Sequence, residues 1–189
     1  NMVRLMDIDG GYFHPNIFGF NRDSITVDAD AMDQLCYFWA KCKEKGIYIQ
    51  YCLLGVRYPS TEMNHPAYED LSIGFKTEIY FDPKLQEMTR ELEKTILTWK
   101  NPYTGTTLAN DPCVAMYEIN NESNLMNTFG SYSGDNYEIK SEYEKNLFLS
   151  LFNEYLKNIY GTNDRLVQAW TAEGKTALLD GENLDNGTV

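Results

Sequence analysis

The sequence predicts an α/β fold in which parallel strands are joined by helices. Three observations carry this expectation. Residues 2–8, 47–54 and 114–119 are short apolar segments rich in β-branched or aromatic side chains, and each reads as a strand. The stretches between them place apolar residues at three- and four-residue steps, the spacing of one helix face. No hairpin signal joins the strands, so each strand-helix-strand step is expected to be a right-handed parallel crossover.

Taken in order, the first strand covers residues 2–8, and a polar loop follows through 21–28. Met32, Leu35, Cys36, Trp39 and Cys42 then line one side of a helix, which Gly46 closes behind Lys43 and Lys45. The second strand is 47–54. Residues 55–79 show no convincing period, and loops of that length in compact domains are usually functional or mobile, so this segment is the first place to look for ligand contacts. Asp82-Pro83 supplies an N-cap and a proline at the first helical position, and Leu85, Met88, Leu92, Ile96 and Trp99 form the buried side of that helix. Asn101-Pro102 stops it. Asp111-Pro112 leads into the third strand, 114–119, which breaks into Asn120-Asn121-Glu122-Ser123-Asn124.

A loop containing glycine and serine runs to about residue 136. Ser141 and Glu144 have capping-box spacing ahead of a long amphipathic helix through Leu147, Leu151, Tyr155 and Ile159 to Gly161. Thr162 caps a shorter helix carrying Leu166, Val167 and Trp170, and the tail 180–189 reads as loose and polar. Beyond the strand-helix alternation there is no internal repeat.

Composition narrows the function classes. Sixteen basic against 28 acidic residues give a net charge of -12, which disfavours nucleic acid and anionic membranes, since both attract basic surfaces. No run approaches the roughly 18 apolar residues of a membrane span. Cys36, Cys42, Cys52 and Cys113 lack C-x-x-C spacing and read as buried free thiols, with a Cys52–Cys113 bridge between neighbouring strands as the other option. The chain opens on Asn1 and runs directly into an apolar strand, so it is expected to begin inside a domain, with any targeting signal upstream.

The strand-to-helix turns carry neither G-x-G-x-x-G nor G-x-x-x-x-G-K-[ST], which favours a closed (β/α)8 barrel over an open nucleotide-binding sheet. A complete barrel needs about 250 residues and eight units, and three are visible. Residues 1–189 are therefore expected to be a partial barrel domain, truncated at both ends, with the remainder of the barrel as its partner. In such folds catalytic groups collect at the carboxyl ends of strands. Asn121 and Glu122 follow the third strand, and a carboxylic acid there suits glycosidic cleavage, which needs one carboxyl to protonate the leaving oxygen and a second to attack or to activate water.

The run Asp111-Pro112-Cys113-Val114-Ala115-Met116-Tyr117-Glu118-Ile119-Asn120-Asn121-Glu122 resembles the D-P-x-V-x-x-x-E-x-x-N-E approach to the fourth strand in glycoside hydrolase family 5 and its relatives among the retaining barrel glycosidases. Asn101-Pro102-Tyr103-Thr104-Gly105, Gly46-Ile47-Tyr48 and Asn1-Met2-Val3-Arg4-Leu5 are similar to further family segments in the same order, so the chain would hold roughly strands 2 to 4. The resemblance implies a β-linked polysaccharide or oligosaccharide substrate and no cofactor, with the protein secreted or at the cell surface. It implies Glu122 as acid/base, Asn121 bonding the sugar hydroxyl beside the cleaved carbon, and Arg4 ordering the carboxylates from the floor of the site. The nucleophile would be a seventh-strand glutamate beyond Val189. Where relatives often carry histidine after the second-strand arginine, this chain has Met6-Asp7.

Plainer roles stand beside these. Glu122 could be a solvated loop carboxylate, Asn121 a turn cap, and Arg4 the partner of Glu118 in a structural ion pair. Asp9 reads equally as a turn residue or a ligand. His14 and His65 fit polar loop roles, and Trp39 and Trp99 fit the core. Tyr58 and Tyr68, in the aperiodic segment, are candidates for stacking on a pyranose ring. The acid/base role expects a buried carboxylate at 122. A carbohydrate-binding pseudoenzyme on the same scaffold is the alternative from another class, and a generic α/β domain with an unrelated substrate is a third.

Overall fold

The structure, a computed structural model, describes residues 1–10, 16–19, 21, 24–71, 75–123, 139 and 141–189. His14, Asn124 and most of the glycine- and serine-containing loop lie outside the described residues. The chain divides into two compact units, Asn1–Glu138 and Ile139–Val189.

In the first unit the described elements are β1 (Met2–Leu5), α1 (Ala29–Glu44), β2 (Tyr48–Leu54), α2 (Pro83–Thr98) and β3 (Val114–Asn120). The three strands form one parallel sheet with β2 in the centre. Successive side chains of a strand point to opposite faces, and here the two faces differ in chemistry. Ile49, Tyr51 and Leu53 of β2, with Val3 and Leu5 of β1, pack against Met32, Leu35, Cys36 and Trp39 of α1 and Leu92 and Ile96 of α2. Arg4, Gln50 and Glu118 occupy the other face, where they bond one another across the strands.

Both helices start where a carboxylate satisfies free backbone N–H groups. Asp28 accepts from Ala31 N at 2.8 Å, and Asp82 accepts from Lys84 N and Leu85 N ahead of Pro83. Gly46, at φ 66, takes the left-handed conformation that ends α1. Two of the segments quoted for the resemblance hold the scaffold. Asn101 is fully buried; its amide donates to Cys36 O at 2.9 Å and its carbonyl accepts from Tyr103 N at 2.8 Å, which fastens the 101–105 turn to α1. Asp111 accepts from Lys43 Nζ at 2.9 Å, Cys113 N at 2.9 Å and the Thr106 hydroxyl, joining that turn, α1 and the start of β3.

Several expectations need correction. The first strand ends at Leu5 and not at residue 8, because Asp7 takes φ 54 and leaves the extended region. The described part of segment 55–79 packs: Leu71, Phe75 and Ile79 form a second cluster with Leu54 and Leu85, and 3-10 turns occupy Thr61–Met63 and Glu78–Tyr80. His65 is a buried tie, with Nε2 2.8 Å from Asp82 Oδ2 and Nδ1 accepting from Ala67 N. Trp39 is core as expected, and Trp99 caps α2 while packing partly buried on the same cluster.

The four cysteines are free and buried. Cys113 Sγ donates to Ile47 O, Cys52 Sγ to Leu54 O, and burial pushes the thiols of Cys36 and Cys52 up to about 11 and about 12.

The second unit contains α3 (Glu142–Tyr160), α4 (Asn163–Trp170) and a hairpin of β4 (Thr171–Ala172) with β5 (Lys175–Thr176). Ser141 caps α3 and Thr162 caps α4. The hairpin turns through Glu173 and Gly174 at φ 52 and 76, a pair of positive φ values that matches the strand twist. Its sequence signal is a single glycine, too little to predict a hairpin. The tail is also ordered: Leu184 and Val189 are buried with Leu156 and Leu166, Asn183 caps a 3-10 turn, and Asn153 exchanges two hydrogen bonds with Val189.

Candidate active site

The carboxyl ends of the three parallel strands bring together Arg4 of β1 with Asp7 two residues beyond that strand, Gly55 just after β2, and Asn121 and Glu122 just after β3. Register accounts for the first contact. Arg4 lies opposite Gln50, and Cys52 opposite Glu118, so side chains from all three strands meet on the face turned away from the helices. Arg4 Nε donates to Glu118 Oε2 at 2.9 Å and its Nη2 to Glu118 Oε1 at 2.6 Å, a fork-shaped ion pair. Hydrogen bonding to Glu118 raises the Arg4 pKa against its partial desolvation. The same Nη2 donates to Asn121 Oδ1 at 2.9 Å. Arg4 therefore forms the ion pair with Glu118 and, through the same guanidinium, holds Asn121.

Asn121 is buried, and its N–H continues the β2–β3 ladder to Leu54 O at 2.9 Å. With Oδ1 held by Arg4, the direction of its side chain is set. Glu122 follows at φ 49, a conformation uncommon outside glycine and frequent where a structure imposes a functional geometry. Its carboxylate is not buried as expected, since the side chain is 71% exposed; Lys76 Nζ lies 3.9 Å from its Oε2. Behind it, Ser123 Oγ donates to Asn121 O and the Tyr80 hydroxyl donates to Ser123 O.

Asp9 is a scaffold residue. It is buried and accepts from Gly55 N at 2.9 Å and Val56 N at 3.1 Å, tying the chain after β1 to the end of β2. Burial raises its pKa and these hydrogen bonds oppose the rise. Gly55 is needed for space: a Cβ there would stand 2.6 Å from Asp7 Oδ1 and 2.9 Å from Asp9 Oδ1. Beside Asp9, Arg57 is buried with its guanidinium 4.7 Å from the centre of the Phe18 ring, and burial lowers its pKa to about 10.

Comparison with known proteins adds a distant likeness. The chain is similar to the solved structure of an endo-1,4-beta-mannanase from Rhizomucor miehei, at 18% identity and a TM-score of 0.44, over 71% of this chain and 37% of that one. No protein-family model matches the chain, and no curated protein matches it. The α/β class stands on the parallel sheet itself.

Of the residues singled out in the sequence, Arg4, Asn121 and Glu122 gather at the strand ends. Tyr58 is partly buried beside Gly10, and the Tyr68 hydroxyl donates to its neighbour Glu69 at 2.9 Å. Two charged residues near the strand ends were not foreseen as site residues. Lys76 comes from the aperiodic segment. Asp7, noted only as a departure from the family pattern, has its pKa raised by burial, lowered by Lys76 and raised by Glu122, with the rise prevailing. Neither carries a spacing signal, because both reach the site from irregular backbone.

Proposed function

We propose that this chain carries the acid/base half of a retaining glycoside hydrolase acting on β-linked polysaccharides or oligosaccharides, with residues 1–189 forming part of a (β/α)8 barrel. The reading rests above all on one observation: Arg4 spans Glu118 and Asn121 on the sheet face away from the helices, immediately before Glu122. Glu122 is first the general acid that protonates the departing glycosidic oxygen and then the general base that activates water. Asn121, its carbonyl occupied by Arg4, presents its amide N–H groups to a sugar hydroxyl. The nucleophile belongs to a later strand of the barrel, and Tyr58 and Tyr68 are offered as sugar-stacking residues.

The exposure of Glu122 favours a second reading, a carbohydrate-binding scaffold without hydrolysis, or an α/β domain with another substrate. One substitution separates them. Glu122→Gln in the full-length protein is expected to lower hydrolysis of substrates with poor leaving groups by about 10²- to 10⁴-fold. Unchanged hydrolysis would remove Glu122 from the mechanism, and sugar binding with no hydrolysis in the wild-type protein would support the binding scaffold.

A further inference from the structure

The chemistry asked of Glu122 needs a fixed carboxylate, yet the side chain is mostly exposed and follows an unfavourable backbone conformation. A charged neighbour on firm backbone can hold it in place. Lys76 is placed to do so. Its ammonium lies 3.9 Å from Glu122 Oε2, and its side chain is only 26% exposed. The backbone that carries it is firmly seated: Phe75 on one side is fully buried, and Thr77, Glu78 and Ile79 on the other are buried as well. Phe75 has φ 48, costly for an aromatic residue and maintained only where the surroundings impose it. The Tyr80 hydroxyl, a few residues on, donates to Ser123 O, so one short segment touches both Glu122 and the residue that follows it.

We propose that Lys76 is a positioning residue for Glu122, an ammonium anchored on the β2–α2 segment that orients the acid/base carboxylate. The inference rests on the reading of Glu122 as proton donor. It assigns the packed part of 55–79 a definite task, holding the catalytic carboxylate. Coulombic attraction between exposed groups at this separation is modest, so the effect lies in orientation more than in binding energy.

The test compares Lys76→Met, Lys76→Arg and Glu122→Gln in the full-length protein, with two probes: a β-linked oligosaccharide the enzyme cleaves, whose leaving group needs protonation, and the corresponding 2,4-dinitrophenyl glycoside, whose leaving group does not. Lys76→Met is expected to reduce kcat/KM on the oligosaccharide about tenfold, a fraction of the general-acid contribution. Its effect on the dinitrophenyl glycoside is expected to stay within about threefold, and Lys76→Arg is expected to recover most of the loss. Equal losses on both probes, or no loss on the oligosaccharide, would overturn the positioning role while Glu122→Gln still showed its own selective loss. If Glu122→Gln itself cleaved the oligosaccharide normally, the underlying function would fail instead.

Discussion

Asp111 shows how a motif residue can serve the fold. Its carboxylate is buried and accepts from Thr106, Cys113 and Lys43. Burial alone would raise its pKa, but these hydrogen bonds and the Lys43 charge outweigh it and hold the value below the usual 3.8. A carboxylate depressed in the folded state stabilises fully above its unfolded pKa and loses that contribution as pH falls through the folded one. Asp111→Asn in the full-length protein is therefore expected to cost about 1–3 kcal/mol at pH 7. Thermal melts of wild type and variant should converge below about pH 4; a constant gap down to pH 2 would contradict this linkage. The resemblance motif thus contains residues in different settings: Asp111, Glu118 and Asn121 are tied into the scaffold, while Glu122 is exposed just beyond the strand. Type and spacing pointed to all four, but only contact geometry sorts them.

The strands and helices were largely legible because their signals are local. Asp28 and Asp82 cap α1 and α2, Gly46 closes α1, and the heptad-like apolar spacing of α1 and α2 matches the faces that meet the sheet. What escaped local reading depends on contacts distant in sequence. Asp7 ends β1 early by adopting a positive φ beside the close approach of Gly55. The tail orders because Val189 and Leu184 find Leu156 and Leu166. Gly55 lies at such a junction, and Gly55→Ala would drive a methyl group into Asp7 and Asp9. A destabilisation of about 1–3 kcal/mol is expected, together with reduced activity from displacement of the β1 end. An unchanged melting temperature and full activity would show that the strand ends can part without cost.

Exposure across the sheet is uneven, and this shapes the behaviour of the chain as a whole. Tyr51 and Ile49 in the central strand are fully buried, whereas Met116, Tyr117 and Ile119 of β3 are exposed, Ile119 at 65%. Large apolar side chains on an outer strand, whose far edge has no partner strand among the described residues, are a surface that other strands cover in a barrel and that self-associates otherwise. The isolated 189-residue chain, kept monomeric, is therefore expected to show no cooperative thermal transition and no hydrolase activity. A sharp two-state melt by circular dichroism would contradict the partial-barrel reading. By itself, the sequence determined the α/β class, the order of strands and helices, the caps, and the position of Asn121-Glu122 after a strand, since each follows from local periodicity, capping chemistry and short motifs. Tertiary structure alone decided that Arg4 pairs with Glu118 while holding Asn121, that Asp9 belongs to the scaffold, and that Lys76 stands beside Glu122. Those contacts join residues dozens of positions apart through parallel register and irregular loops, and neither leaves a period in the chain.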